Sequence, residues 1–296
     1  MDDSLTLLVD APSLFYRALF STPDSIRTPE GTPINAAYGF FRMLARLIQD
    51  HNPDYIACAA DESWRPAWRV ELVESYKNFR AAPGSAQEAA EEKLATQVPV
   101  LYGLLEMCRI PVIGHPDYEA EDVIGTLAQR APGRVLIFSG DRDLFQLVRD
   151  PEVAVLYPVR GVSNVDIVDE AYITKRYGIP GRAYLDFAVL RGDPSDGLPG
   201  VKGIGEKLAA SLVARYGDLE TILKEAEGGN ESVSLAKVKR DADYVRKAAQ
   251  VVAIATDLPL KPVDLSRPRD VPRAQITDAA ARFGLKSPIT ALLRAF

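Results

Sequence analysis

Apolar positions along this chain gather into short runs, and most of those runs stop at an acid or a turn. Residues 5–9 (LTLLV) predict a buried strand ending at Asp10. Residues 12–20 predict a helix with Pro12 in its first turn, where the missing N–H has no intrahelical partner to lose. Residues 36–49 are apolar at helical spacing, and residues 54–60 (DYIACAA) predict a second strand followed at once by Asp61. From 62 to 96 the pattern fades into charges, Trp64, Trp68 and small residues, which predicts an excursion from the core. The pattern resumes with a helix over 98–108, a short strand over 111–113 and a helix over 120–131. A strand over 134–138 (RVLIF) then turns out through Ser139 and Gly140 to Asp141. Strands alternating with helices predict an α/β fold: a central, mainly parallel sheet with helices on both faces.

After residue 157 the alternation stops. Residues 169–177 and 183–190 predict helices, and GLPGVKGIGEKLAASLVARYG predicts a glycine-rich turn between helices. The tail from 261 carries Pro262, Pro268 and Pro272 and is expected to be loop-rich until a last helix over 277–296. The expected division is an α/β core over 1–180 and a C-terminal helical region over 181–296.

No apolar run reaches the ~18 residues that a membrane span needs. The start, MDDSLTLLVDAPS, lacks the basic segment of a secretory signal, so a cytoplasmic protein is expected. Cys58 and Cys108 are far apart, lie in apolar segments and are expected as buried thiols. The net charge of −6 argues against a polyanionic partner until the acids are sorted. Nine of them occupy chemically suggestive positions: Asp10, Asp61, Glu119, Glu121, Asp122, Asp141, Asp143, Asp193 and Asp196. Setting those nine aside leaves 32 acids against 35 bases, so any phosphate-binding surface must be local.

Open α/β sheets place their sites at the C-terminal ends of strands, where Asp10, Asp61 and Asp141 are predicted. Asp143 follows two residues after Asp141 in SGDRD, and Glu119 and Asp122 lie three apart, close enough to share a helical face. Glu121 joins them if the helix begins near it. Any one of these acids could simply cap a helix N-terminus. Nine in such positions point instead to hard-oxygen ligation of Mg²⁺ or Mn²⁺. His51 and His115 are isolated and expected at the surface or in loops, which argues against zinc.

Two further segments carry positive charge. In PGVKGIGEK, Gly200, Gly203 and Gly205 would let backbone N–H groups approach a phosphate at a helix entrance, flanked by Lys202 and Lys207. Such a turn grips a backbone without reading bases. ESYKNFR supplies Tyr76, Lys77 and Arg80, with Arg69 upstream, and Lys77 and Arg80 would share a helical face.

In order, the motifs are LLVDAPSLFYR, NAAYGFFRML, ADESWRPAWR with SYKNFR, DYEAEDVIGTLA, FSGDRDLFQLV and RGDPSDGLPGVKGIGEKLA. Together they resemble the flap endonuclease and 5′-to-3′ exonuclease family. That family includes the N-terminal nuclease domain of bacterial DNA polymerase I and free-standing phage 5′-nucleases. The resemblance covers about residues 7–259. It implies a PIN-like core and makes the nine acids metal ligands, direct or through water. It puts Lys77 and Arg80 at the scissile phosphate, below a helical arch over 70–98. It implies a helix–three-turn–helix over 196–217 on duplex DNA, with a K⁺ at backbone carbonyls. Arg17, Tyr38 and Arg42 match positions near the substrate, and Arg69 and Tyr76 are grouped with them. The implied activity is two-metal hydrolysis of DNA at 5′ flaps, nicks and junctions, RNA primer strands included, by a monomer without membrane attachment. The products would be a 5′-phosphate and a 3′-hydroxyl.

The sequence departs from the family pattern at four places. Glu121 stands for Asp, Ala60 for Phe and Gly197 for Asn, and the Asp61-to-Arg69 spacing is one residue longer. No polymerase domain is expected after Phe296. Three rivals are weaker. An aspartyl-phosphate phosphatase of the haloacid dehalogenase type would need a DxD pattern where Asp10-Ala11-Pro12 stands. A DNA-binding module without cleavage would have no use for the full acid set. A small PIN-type RNA nuclease would lack the glycine-rich hairpin.

Overall fold

In the computed structural model, residues 3–80, 82–160, 162, 164–229 and 232–296 are described. The chain runs β1 (Leu5–Asp10), α1 (Ala11–Ser21), α2 (Asn35–His51), β2 (Tyr55–Ala59), α3 (Ala67–Leu72), α4 (Ala86–Leu94) and α5 (Gln97–Met107). It continues with β3 (Val112–Ile113), α6 (Ala120–Arg130), β4 (Arg134–Phe138), β5 (Val153–Arg160) and β6 (Asn164–Val168). The helices α7 (Glu170–Tyr177), α8 (Tyr184–Arg191), α9 (Glu206–Tyr216) and α10 (Leu219–Glu227) follow. Four more close the chain: α11 (Val233–Arg240), α12 (Ala242–Val252), α13 (Arg273–Ala281) and α14 (Lys286–Ala295).

The sheet has the order β3-β2-β1-β4-β5-β6, parallel throughout except for β6, which is antiparallel to β5. Successive strand residues face opposite sides, and both sides are covered. Leu7, Val9, Ile56, Cys58, Leu136 and Phe138 pack with α1, α2, α5, α13 and α14. Leu8, Ala57, Ala59, Val135 and Ile137 pack with α6 and the helices α8 to α12. This double burial explains why the strands read as unbroken apolar runs. Cys58 and Cys108 are free and buried, as expected.

Three features were not anticipated. The β5–β6 hairpin lies where the alternation was expected to have ended, because Pro158 and a register shift between Pro158 and Arg160 break its apolar pattern. The segment from 219 to 252 holds three helices. The last expected helix is two, with a turn over 282–285, and α14 packs on α2, on the sheet face opposite α8 to α12. The chain reaches that face along residues 264–267, where Ile56 N–H donates to the Leu265 carbonyl at 2.7 Å and Arg267 N–H to that of Asp54 at 2.7 Å. Among the described residues no helix is long and apolar enough to cross a membrane.

One buried polar side chain ties the excursion after β2 to the core. Gln97, 1% exposed, accepts from the N–H groups of Ala36 (2.8 Å) and Ala37 (3.3 Å). These are free donors of the first turn of α2, so Gln97 caps that helix from another element. Replacing it by leucine strands two buried donors. We expect Gln97→Leu to lose about 2–4 kcal/mol in urea unfolding, with the denaturant slope unchanged. A loss below about 0.5 kcal/mol would show that the cap is dispensable.

Candidate active site

The C-terminal edge of the sheet collects the acids. Asp10 ends β1 and caps α1, accepting from Ser13 N–H at 3.0 Å and from the Ser139 hydroxyl. Asp61 lies just past β2 and accepts from Ala120 N–H at 2.7 Å, at the mouth of α6. Glu119 and Asp122 cap that helix reciprocally. Asp141 and Asp143 follow β4, and Asp193 and Asp196 occupy a short turn after α8.

A cavity of about 590 Å³ is lined by Asp10, Asp61, Glu119, Glu121 and Asp141 together with Arg17, Lys77 and Arg80. A smaller one of about 240 Å³ adjoins it, sharing Arg80, Gly140 and Asp141 and adding Asp193 and Asp196. Carboxylate oxygens of Glu121, Asp141 and Asp143 lie within 4.8 Å of one another. This spacing suits one cation held between them, and the donors are all hard oxygens. Without a cation, Asp10, Asp61, Glu121, Asp143 and Asp196 hold their protons above the usual carboxylate range. Burial pushes Asp10 up to about 7, against the hydrogen bonds from Ser139 and Ser13, and Asp61 up to about 6, against that from Ala120. Burial likewise lifts Asp196 to about 6 in spite of Lys77. Glu121 is raised by burial against the pull of Arg69, and Asp143 by burial and its neighbour Asp141.

The structure separates the predicted acids into two groups. Asp122 is 0% exposed and does not reach either cavity. Its Oδ1 accepts from Arg69 (2.9 Å) and Ala255 N–H (2.9 Å), and its Oδ2 from Glu119 N–H (3.1 Å), so its oxygens are committed to the protein. The other eight line a cavity or belong to the close triad.

Arg69 and Tyr76, expected at the DNA, are buried instead. Arg69 pairs with Glu119 (2.7 Å), Glu121 (3.2 Å) and Asp122 (2.9 Å), and the Tyr76 hydroxyl donates to Glu119 at 2.6 Å. Crowded acids need an internal counter-ion, and the aromatic stretch supplies it. Lys77 and Arg80 do not share a helical face, because residues 73–80 form turns and Lys77 sits at φ 48°. They reach the site all the same: Lys77 Nζ bonds Glu119 Oε2, and Arg80 pairs with Asp196 at 2.6 Å. Burial works against the Lys77 ammonium, but Glu119 and Asp196 outweigh it and raise its affinity for the proton.

The turn that carries these cations is fastened to the turn that carries Asp196. Lys77 N–H donates to the Asp196 carbonyl at 2.8 Å, and a Cβ on Gly197 would come within 2.0 Å of the Ser75 carbonyl oxygen. Gly197, at φ 70°, therefore allows two backbones to touch.

Tyr38 and Arg42 are not in the acidic cavity. They line a separate, mainly apolar one of about 370 Å³ with Pro23, Ile26 and Met43, beyond the end of α1. The glycine-rich turn lies between α8 and α9: Gly205 immediately precedes α9, and Lys202, Gly203 and Lys207 are exposed. Gly200, however, gives its N–H to the Tyr244 hydroxyl at 2.9 Å. Two arginines escaped notice in the sequence. Arg142 and Arg191 each approach Asp193 at 3.6 Å, and Arg142 was legible as the base between the acids of SGDRD. Within the excursion, Gln87 of α4 donates to the Tyr16 hydroxyl at 2.5 Å, closing α4 over α1 at the cavity wall.

Residues 5–178 match the 5′-3′ exonuclease N-terminal resolvase-like domain, and residues 179–273 match the 5′-3′ exonuclease C-terminal SAM fold. The chain belongs to the 5′-3′ exonuclease family. It is 44% identical to a 5′-3′ exonuclease of Streptomyces coelicolor, over 97% of this chain and 98% of that protein. It is 38% identical to DNA polymerase I of Mycobacterium tuberculosis over 86% of this chain, matching 27% of that longer protein. A solved structure of bacteriophage T5 flap endonuclease, complexed with DNA and metal ions, shares the fold with a TM-score of 0.69 at 16% identity, covering 98% of both chains. This 5′-3′ exonuclease thus has the fold of that nuclease, with its own acids at the C-terminal ends of the strands.

Two outcomes follow from the geometry. Carboxyls whose affinity for protons is raised by folding favour the native state at low pH, and that advantage is lost as pH rises from about 4 towards 7. The metal-free enzyme should therefore melt lower at pH 8 than at pH 5.5, and Mg²⁺ should raise the melting temperature more at pH 8. Equal Mg²⁺ stabilisation at both pH values would refute this reading of the acids. Gly197→Asn restores the residue usual in the family, yet here its Cβ meets Ser75. It should cost about 2–3 kcal/mol in urea unfolding and lower cleavage at least tenfold; wild-type behaviour would show that the two turns separate freely.

Proposed function

We propose that this exonuclease cuts DNA at 5′ flaps, nicks and single-strand/duplex junctions, and trims 5′ ends, including RNA-bearing ones, as a monomer using Mg²⁺ or Mn²⁺. The observation that carries the proposal is the triad of Glu121, Asp141 and Asp143 oxygens within 4.8 Å, beside Asp10 and Asp61 in an open cavity. An all-oxygen donor set without histidine or cysteine suits those cations. Asp193 and Asp196, across the shared wall at Asp141, are suited to a further ion.

Divalent cations held there would activate water and stabilise the leaving 3′ oxygen, giving a 5′-phosphate and a 3′-hydroxyl. The chain's own residues do the rest. Lys77 and Arg80 hold positive charge at the cavity, where it can meet the negative charge that grows on the phosphate oxygens. Asp122 and Arg69 act behind the ligands: the first fixes the start of α6, and the second keeps Glu119 and Glu121 from repelling each other. Lys202 and Lys207 beside Gly203 and Gly205 grip the duplex backbone without reading sequence. Arg17 at the acidic cavity, and Tyr38 and Arg42 beyond α1, contact the rest of the substrate. The carbonyls of Lys202 and Gly203 accept from Arg240 and Lys237 and each keeps a second lone pair, so a K⁺ at the hairpin carbonyls is part of the proposal.

The deciding experiment uses a 5′-labelled flap duplex with Mg²⁺, Mn²⁺ or EDTA. Cutting near the junction should need the cation and fall at least about a hundredfold in Asp141→Asn. Tight binding without cleavage in either metal would reduce the protein to a binding module.

A further inference from the structure

The glycine-rich hairpin is held from behind by a part of the chain that no motif marks. At the junction of α11 and α12, four side chains take up its backbone polar groups. Tyr244 accepts from Gly200 N–H at 2.9 Å, and Asp241 from Lys202 N–H at 3.0 Å. Arg240 donates to the Lys202 carbonyl at 3.0 Å, and Lys237 to the Gly203 carbonyl at 3.0 Å. Arg240 is itself steered by Asp241, at 2.7 and 2.6 Å. Gly203 takes φ 84°, a conformation that favours glycine, and a Cβ there would lie 3.3 Å from Lys237 Nζ.

These bonds fix peptide planes. In a trans peptide the C=O and N–H point to opposite sides. Turning the Lys202 carbonyl towards Arg240 therefore turns the Gly203 N–H away from α11, to the exposed side of the hairpin. The N–H groups of Gly200 and Lys202 are spent on the brace. Val201 and Ile204 N–H are taken by the carbonyls of Leu190 and Val201, so the hairpin donors left for a phosphate are those of Gly203, Gly205 and the start of α9.

We propose that Lys237, Arg240, Asp241 and Tyr244 are positioning residues for duplex binding: they aim the hairpin at the phosphate and do not touch DNA themselves. The proposal rests on the hairpin being the duplex grip. It separates two roles that look alike on a charge map, since a lysine on a phosphate and a lysine on a carbonyl both add positive charge.

Salt dependence tells them apart. Binding of the full-length enzyme to a short nicked duplex would be measured by fluorescence anisotropy across a salt series, with Ca²⁺ and no Mg²⁺. Lys237→Met and Arg240→Met should weaken binding about three- to tenfold with the slope of log Kd against log salt unchanged, and raise KM for cleavage more than they lower kcat. Lys237→Arg, which can still donate to the Gly203 carbonyl, should recover most of the affinity. Lys207→Ala should instead reduce the slope by about one contact. A slope reduced by one in Lys237→Met would place that lysine on the DNA and overturn the brace, as would wild-type affinity in both methionine variants. If Lys207→Ala also binds like the wild type, the duplex grip itself is wrong.

Discussion

Like-charge crowding at the C-terminal edge of the sheet is the constraint to which the rest of this structure answers. Nine acids gather at the ends of β1, β2 and β4, the start of α6 and the turn after α8, and water is largely excluded from several of them. Arg69 makes this possible without a bound ion. Its guanidinium, 0% exposed, pairs with Glu119, Glu121 and Asp122 at once. A buried pair stripped of one partner leaves a charge whose desolvation is uncompensated, typically at several kcal/mol. Arg69 thus neutralises part of the acidic cluster from inside the protein. Asp122 also bonds Ala255 N–H and so joins the segment after α12 to the start of α6.

Much of this was legible in the sequence. Apolar runs reported β1, β2 and β4 because both faces of those strands are buried, and the acids after them were exposed by their position. The SGDRD and EAED stretches placed the triad partners within a few residues of their true elements. The losses have physical causes. The β5–β6 hairpin was hidden by Pro158, and the helices from α10 to α12 by amphipathic patterns without any chemical landmark. Arg69 and Tyr76 looked like surface residues since burial of an arginine depends on acids 50 and more positions away. The brace behind the hairpin joins residues 34 to 44 positions apart, which no local pattern reports.

Charge is distributed along the molecule by function. Acids and their counter-ions are confined to the strand ends, where the low polarity of the surroundings magnifies each charge. The hairpin's lysines are exposed, where salt screens them and exchange with solvent is easy. A molecule with net negative charge can therefore present one acidic cavity and one exposed basic turn without either cancelling the other.

The doubly covered sheet also decides where this chain can change length. A single residue inserted within β1 would reverse every side chain beyond it, exchanging the two cores and turning Asp10 away from Ser139. The segment from Asp61 to Arg69 belongs to no strand, and the family resemblance implies one residue more there than is usual. There the surplus is taken up by bends, and Arg69 still reaches its three acids. Length variation among relatives should thus collect in the turns that lead into the site, while the strands that deliver the acids keep an unvarying count.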